Sequence, residues 1–221
     1  AYKYIVRWLS DGMKVNKILV SAVTIALLLL LLIKPTTNGY NAAAGSVPSM
    51  NDGWWDALTQ IKDNSTETAI ITSWWDFGHW FKAIADRPVT FDGGNQNTPQ
   101  ARWVGKLFLT DDEKMSIGIL RMLDCGGNNA FEEVNKNFND IPRAVKMVDD
   151  IIIKDRKGAA ALLKVHGFDD NATETILGYT HCVPPEGFVI ASDDMVGKAG
   201  VWGHFGAWNF ERAAMVYEVK K

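Results

Sequence analysis

Residues 68–85 read TAIITSWWDFGHWFKAIA, and a change of pattern in the middle of that stretch sets the fold class. From Thr68 to Ser73 the residues are β-branched or small and apolar, with no helical period, which predicts a short buried strand. Gly78 marks a turn, and HWFKAIA after it has the composition of a helix. Working outward, helical periodicity recurs at 54–62, 79–85, 111–123, 129–138, 141–154, 155–166 and 207–219, whereas only 68–73 and 186–191 read as strands. The expected fold class is a mixed α/β single globular domain, dominated by helices around a few short strands.

The turn itself carries chemistry. Trp74 and Trp75 are hydrogen-bond donors only and an ionised Asp76 is an acceptor only, so together they could clasp a hydroxyl, which both donates and accepts. Polar groups on a loop fixed by a strand end are where binding residues concentrate. The same residues also suit a buried aromatic turn in which Asp76 caps the following helix. His79 could line such a pocket or lie on the surface. The same three letters occur earlier in DGWWDAL, 52–58, where Asp52 suits an N-cap and Trp54, Leu58 and Ile61 share one helical face, so that copy reads as a helix packing on the domain.

Composition narrows the class. With 47% hydrophobic and 22% charged residues the chain is globular in character, and its net charge of -3 lacks the basic footprint of a nucleic-acid partner. From Ile18 to Ile33 sixteen residues carry no charge, between Lys17 and Lys34. That run predicts a transmembrane helix over 18–34, the flanking lysines snorkelling to reach both interfaces. A secretory signal peptide, with Ala42, Ala43 and Ala44 as its cleavage pattern, is the alternative; the apolar run is longer than its core requires. Lys3, Arg7, Lys14 and Lys17 precede the span, while only Lys34 follows before Lys62. The positive-inside rule therefore makes 1–17 a cytoplasmic flank and places the globular part outside. Residues 35–51, rich in Gly, Pro, Ser and Asn, read as a linker, and 52–221 as the extracytoplasmic domain. The start at Ala1 rather than Met suggests a piece of a longer membrane protein. Cys125 and Cys182 could form a disulfide in that compartment, although a body of this size does not require one. No His or Cys spacing suits a metal, so none is expected in this chain. Asn64 and Asn171 begin Asn-X-Ser/Thr triplets and are possible glycosylation sites.

The stretch SWWDFGHWFKAIADRPVTFDGGNQNTP, 73–99, resembles the WWDYG signature and its flank in the catalytic subunit of oligosaccharyltransferase, above all the short archaeal forms of the AglB type. Trp74, Trp75, Asp76, Phe77 and Gly78 match the five-residue motif, with Phe77 for the usual Tyr, a swap that loses only a phenol hydroxyl. The similarity extends through YTHCVPPEGFVIASDDMVGKAGVWGHFGAWNF, 179–210. It implies transfer of a lipid-linked, dolichyl phosphate type oligosaccharide to the Asn of an Asn-X-Ser/Thr sequon in an acceptor polypeptide. Within it, Trp74, Trp75 and Asp76 would grip the Ser/Thr hydroxyl, with Phe77, Gly78 and His79 supporting the pocket. It also implies a multi-pass membrane enzyme that uses Mg2+ or Mn2+ held by acidic loops between earlier membrane helices. Those loops are absent here, so no catalytic residue is expected in this chain and it should be inactive by itself.

The family carries a second element, Asp-x-x-Lys with Met or Ile four residues on. DIPRAVKM offers Asp140, Arg143 and Met147, which share one helical face at i, i+3 and i+7, with Arg in place of Lys; an ordinary amphipathic helix would show the same pattern. DDEK at 111–114 and DDMVGK at 193–198 lack an apolar partner at the right distance. A different class, a membrane-anchored extracellular module binding carbohydrate or protein through its nine Trp residues, would place the aromatics and not Asp76 at the centre of binding.

Overall fold

The computed structural model describes residues 2–14, 16–47, 49–96 and 99–219. The chain divides into two units, Ala1–Asn51 and Asp52–Lys221.

In the first unit, α1 (Tyr2–Met13) precedes α2 (Lys17–Ala44), which Asn16 caps by accepting from the Ile18 amide. Among the described residues α2 is the one helix long and apolar enough to cross a membrane. It continues beyond the expected span and takes in the first part of the supposed linker. Pro35 lies inside it, and the helix stops only at Gly45, whose amide reaches back to Asn41. Pro35 removes its own donor, but Ala42, Ala43 and Ala44 are the strongest helix formers and carry the last turns. Ser46 Oγ donates to the Ala42 carbonyl there.

The second unit opens with α3 (Asp52–Asn64), which buries Leu58 completely. β1 (Ile70–Thr72) follows, shorter than the expected 68–73, and then a chain of tight turns: a 3-10 turn at Trp75–Phe77, α4 (Gly78–Trp80) and a π-turn at Phe81–Ala85. Arg87, 6% exposed, ends this run. Its guanidinium donates to the carbonyls of Lys62, Ser65, Ala85 and Asp86, so one planar fork ties the end of α3 to the end of the turn run. Trp54 packs on Phe77, Trp80 and Phe81 with centroids 4.7, 5.7 and 6.0 Å away. The first Trp-Trp-Asp copy thus supports the second, although Trp55 is exposed.

A helical body comes next: α5 (Gln100–Leu109), α6 (Glu113–Gly126), α7 (Asn129–Phe138), α8 (Ile141–Ile152), α9 (Arg156–Val165) and α10 (Asp170–Thr180). Aspartates start four of these helices, Asp112, Asp140, Asp155 and Asp169 each accepting from an amide of the first turn. The core of this body includes Trp103, Ile119, Met122, Ala144, Val148, Ile151, Leu163, Ile176 and Leu177. Cys125 and Cys182 form a disulfide, joining the end of α6 to the segment that enters β2 (Gly187–Val189).

β2 pairs with β1 in parallel, Ile70 opposite Gly187, Ile71 opposite Phe188 and Thr72 opposite Val189. Parallel neighbours need a long crossover, and here the crossover is the helical body itself. The segment 88–90 lies along the other edge of β1, where the Ile71 amide donates to Pro88 O and the Thr90 amide to Ile71 O. Covered on both edges and both faces, Ile71, Thr72, Ser73 and Trp74 are all buried. α11 (Asp193–Gly197), α12 (Ala199–Gly206) and α13 (Phe210–Val219) complete the unit. α12 crosses α5 at two glycines: a Cβ on Gly105 would lie 2.4 Å from Trp202 O, and one on Gly206 would lie 2.4 Å from Gly105 C. That crossing explains why α5 is hard to read in sequence, since Gly105 looks like a breaker and serves as a contact.

Candidate functional site

The site grows from the end of β1. Ser73 Oγ donates to Ile190 O, 2.7 Å away, fixing the exit of one strand to the exit of the other. Trp74 remains extended and buried, 2% exposed, with its ring edge-on to Phe91 at 5.5 Å and near Phe205 at 6.0 Å. At Trp75 the chain turns, and Trp75 and Asp76 become half-buried. The Trp74 ring is thus part of the core, while Trp75 and Asp76 stand half-buried beside it. Burial of the segment 71–74 sets this difference in depth between the two indoles.

The Asp76 carboxylate accepts from Lys198 Nζ at 2.7 Å, and the same ammonium reaches Asp194 at 2.7 Å. Lys198 also lies 5.3 Å above the Phe77 ring. Burial pushes the Asp194 carboxyl up, but hydrogen bonds from Lys198 and Ser192 outweigh it and hold the group below its ordinary value. At Lys198 burial favours the neutral amine, and the two carboxylates outweigh it, so the ammonium is held above its ordinary value. The cluster is thus a charged triad, two carboxylates about one ammonium, with Asp76 keeping lone pairs for a further donor.

Asp140, Arg143 and Met147 serve elsewhere. Asp140 caps α8 through the Arg143 amide at 3.0 Å, the Arg143 guanidinium sits 4.0 Å over the Phe138 ring, and Met147 is 4% exposed in the helical core. The acid and lysine that meet the motif come from DDMVGK, which the sequence reading sets aside for want of the right apolar partner at the right distance. The structure supplies the apolar neighbour by another route. Met195, next to Asp194, is buried with its Sδ 3.9 Å from Ser73 Oγ. An Asp–Lys pair at i, i+4 directly after a strand was the legible signal.

Gly78 and His79 also find their places. A Cβ on Gly78 would lie 2.5 Å from the Asp92 Cβ, so the chain at 91–92 presses directly on the motif. His79 is exposed, its Nδ1 3.8 Å from Asp92 Oδ2. Asn64 and Asn171 are both exposed, but Thr173 of the second triplet is buried in α10. Among the described residues no three His, Cys, Asp or Glu side chains come together to hold a metal.

Residues 67–175 match the family model for the STT3/PglB/AglB core domain. The dolichyl-phosphooligosaccharide-protein glycotransferase of Methanocaldococcus jannaschii is 41% identical over 169 residues, which cover 74% of this chain and 18% of that protein. The protein of the same name from Methanococcus voltae is 37% identical over 175 residues, 76% of this chain and 19% of that one. The chain therefore spans about a fifth of the length of these relatives. Among solved structures, the C. jejuni PglB C-terminal domain gives a faint likeness, with a TM-score of 0.39 at 16% identity over 69% of this chain and 52% of that one.

Proposed function

Because the chain belongs to the STT3/PglB/AglB core-domain family, we propose that it is the part of an oligosaccharyltransferase that recognises the acceptor polypeptide. In this reading the Ser or Thr hydroxyl of an Asn-X-Ser/Thr sequon binds at the surface end of the motif, donating to Asp76 and accepting from the Trp75 indole. The Trp74 ring packs on Phe91 and Phe205, and its indole N–H is the second donor of the clasp. Lys198, itself held by Asp194, aims the Asp76 carboxylate, and the pair takes the place first expected for Asp140 and Arg143. α2 anchors the chain in the membrane with the globular unit on the extracytoplasmic side, and the lipid-linked oligosaccharide meets parts of the enzyme beyond this chain.

A divalent cation, which the family resemblance implies for the whole enzyme, does not fit the donor set here. Asp76 and Asp194 already face the Lys198 ammonium, and Asp92, which packs on Gly78, faces Lys82. This chain's contribution is therefore binding and orientation of the acceptor. A substrate lacking the hydroxyl leaves a buried donor and acceptor unpaired, which costs about 1–3 kcal/mol for each neutral group.

The observation that carries this reading is the ion-paired Asp76 beside half-exposed Trp75 at the end of a buried strand. Titrating Asn-X-Thr and Asn-X-Ala peptides into the chain held in lipid nanodiscs tests it. The Thr peptide should bind at least about tenfold more tightly, about 1.4 kcal/mol, and Asp76→Asn should abolish the difference. Discrimination retained in Asp76→Asn would overturn the assignment and favour an aromatic binding module.

A further inference from the structure

Outside the triad, one other charged cluster touches the motif. Asp92 is 5% exposed and lies at the end of the 88–91 segment that runs along β1. Its backbone is closed from three directions: its amide donates to Asn95 Oδ1 at 2.7 Å, its Oδ1 accepts from the Gly94 amide at 2.8 Å, and its carbonyl accepts from the Asn95 amide at 3.1 Å. Its other carboxylate oxygen accepts from Lys82 Nζ, one turn after the motif, and faces His79 Nδ1. The Lys82 hydrogen bond holds this carboxyl below its ordinary value, so the charge is present at neutral pH.

Close packing joins this cluster to the motif. The Asp92 Cβ occupies the space a side chain at Gly78 would need, so the motif's last residue rests on Asp92. The turn that Asp92 organises presents Gly93 to two rings. A Cβ there would lie 3.2 Å from His79 Nε2 and 3.9 Å from Trp75 Cε3. The glycine thus leaves the room of about one methyl group between this turn and the two rings.

We propose that Asp92 is a positioning residue for acceptor recognition, bracing the turn 78–82 through Lys82 and through its packing on Gly78. This inference rests on the sequon-binding reading above. Asp92 touches no substrate in it; it acts by fixing where Trp75 and Asp76 stand. Neither the carboxylate's charge nor its length is dispensable, because Asn cannot pair with Lys82 as an ion and Glu moves the carboxylate away from the Gly94 amide.

The test is peptide binding to the full chain in nanodiscs, with Asn-X-Thr and Asn-X-Ala peptides titrated into wild type, Asp92→Asn and Asp92→Glu. Asp92→Asn should weaken Thr-peptide binding about tenfold while leaving Ala-peptide binding unchanged, and Asp92→Glu should recover part of the loss. A general loss of structure would weaken both peptides alike. Should Asp92→Asn fail to fold, Lys82→Met carries the test, since Lys82 is 53% exposed and lies outside the motif; it should weaken Thr-peptide binding in the same selective way. If wild type shows no preference for Thr, the sequon reading itself fails. If wild type prefers Thr and the folded variants prefer it equally, Asp92 has no positioning role and the inference is overturned.

Discussion

At Gly78 two effects oppose one another. The backbone there is ordinary right-handed helix, φ -55, so alanine would gain about 1 kcal/mol of helix propensity over glycine. The added methyl would meet Asp92 Cβ at 2.5 Å and the backbone at Asp92 Cα and Phe91 O at 2.8 and 2.9 Å, on a segment that is itself held by hydrogen bonds. Overpacking of that kind costs about 1–3 kcal/mol, so the clash wins. Gly78→Ala is expected to lower the urea midpoint with an unchanged slope, as measured by circular dichroism. The same scale shows how far the motif could be read from its letters. Residue types identified a donor–acceptor group at 74–76 but not the depth of either indole. Only the depth of β1, set by residues 88–90 and 187–189, separates Trp74 from Trp75, and that depth is a tertiary fact with no trace in the five letters. Loss of binding in Trp74→Ala would consequently report on the core as much as on the site.

Among the elements, α6 carries a group whose titration opposes the fold. Asp124 on its last turn has a buried Oδ1 without a partner, and its Oδ2 lies 3.3 Å from where a Gly187 Cβ would sit, against β2. Burial pushes this carboxyl up to about 6. The folded state therefore binds a proton more tightly than the unfolded chain, and stability falls as pH rises from about 4 to about 6. Above that window the penalty is complete, on the order of 1–2 kcal/mol once discounted for partial exposure. His181, held down by its own burial, has the opposite sign below its ordinary value, so the Asp124 effect is read as a difference between proteins. Asp124→Asn should be more stable than wild type at pH 7–8 and indistinguishable from it near pH 4 in thermal melts. Elements with clear caps and unbroken periodicity, such as α7, α8 and α9, were legible within a few residues. α5, α10 and the short α11 and α12 were not, because Gly105, Gly178, Gly197 and Gly200 interrupt their patterns, and at Gly105 the cause is a helix crossing and not a turn.

For the molecule as a whole, the disulfide closes a loop of 57 residues that contains α7 through α10. In the chain-entropy account, releasing that constraint from the unfolded state costs the fold about 4 kcal/mol. Replacing both Cys125 and Cys182 by Ser should lower the guanidinium midpoint accordingly, and the reduced wild type should behave like the double variant. Fold class was readable because strand and helix patterns differ in period; the partner of each strand was not, since pairing depends on what a crossover brings back. That crossover governs timing as well as place. Ser73 meets Ile190 across 117 residues, and Asp76 meets Lys198 across 122. A nascent chain paused before residue 187 has every letter of the motif and only the 88–91 segment to lay beside it. Contacts this distant in sequence close late and slowly. The geometry around Asp76 is therefore completed only once residues 187–198 have been made, and a chain ending before Gly187 should lack it while keeping most of the helical body.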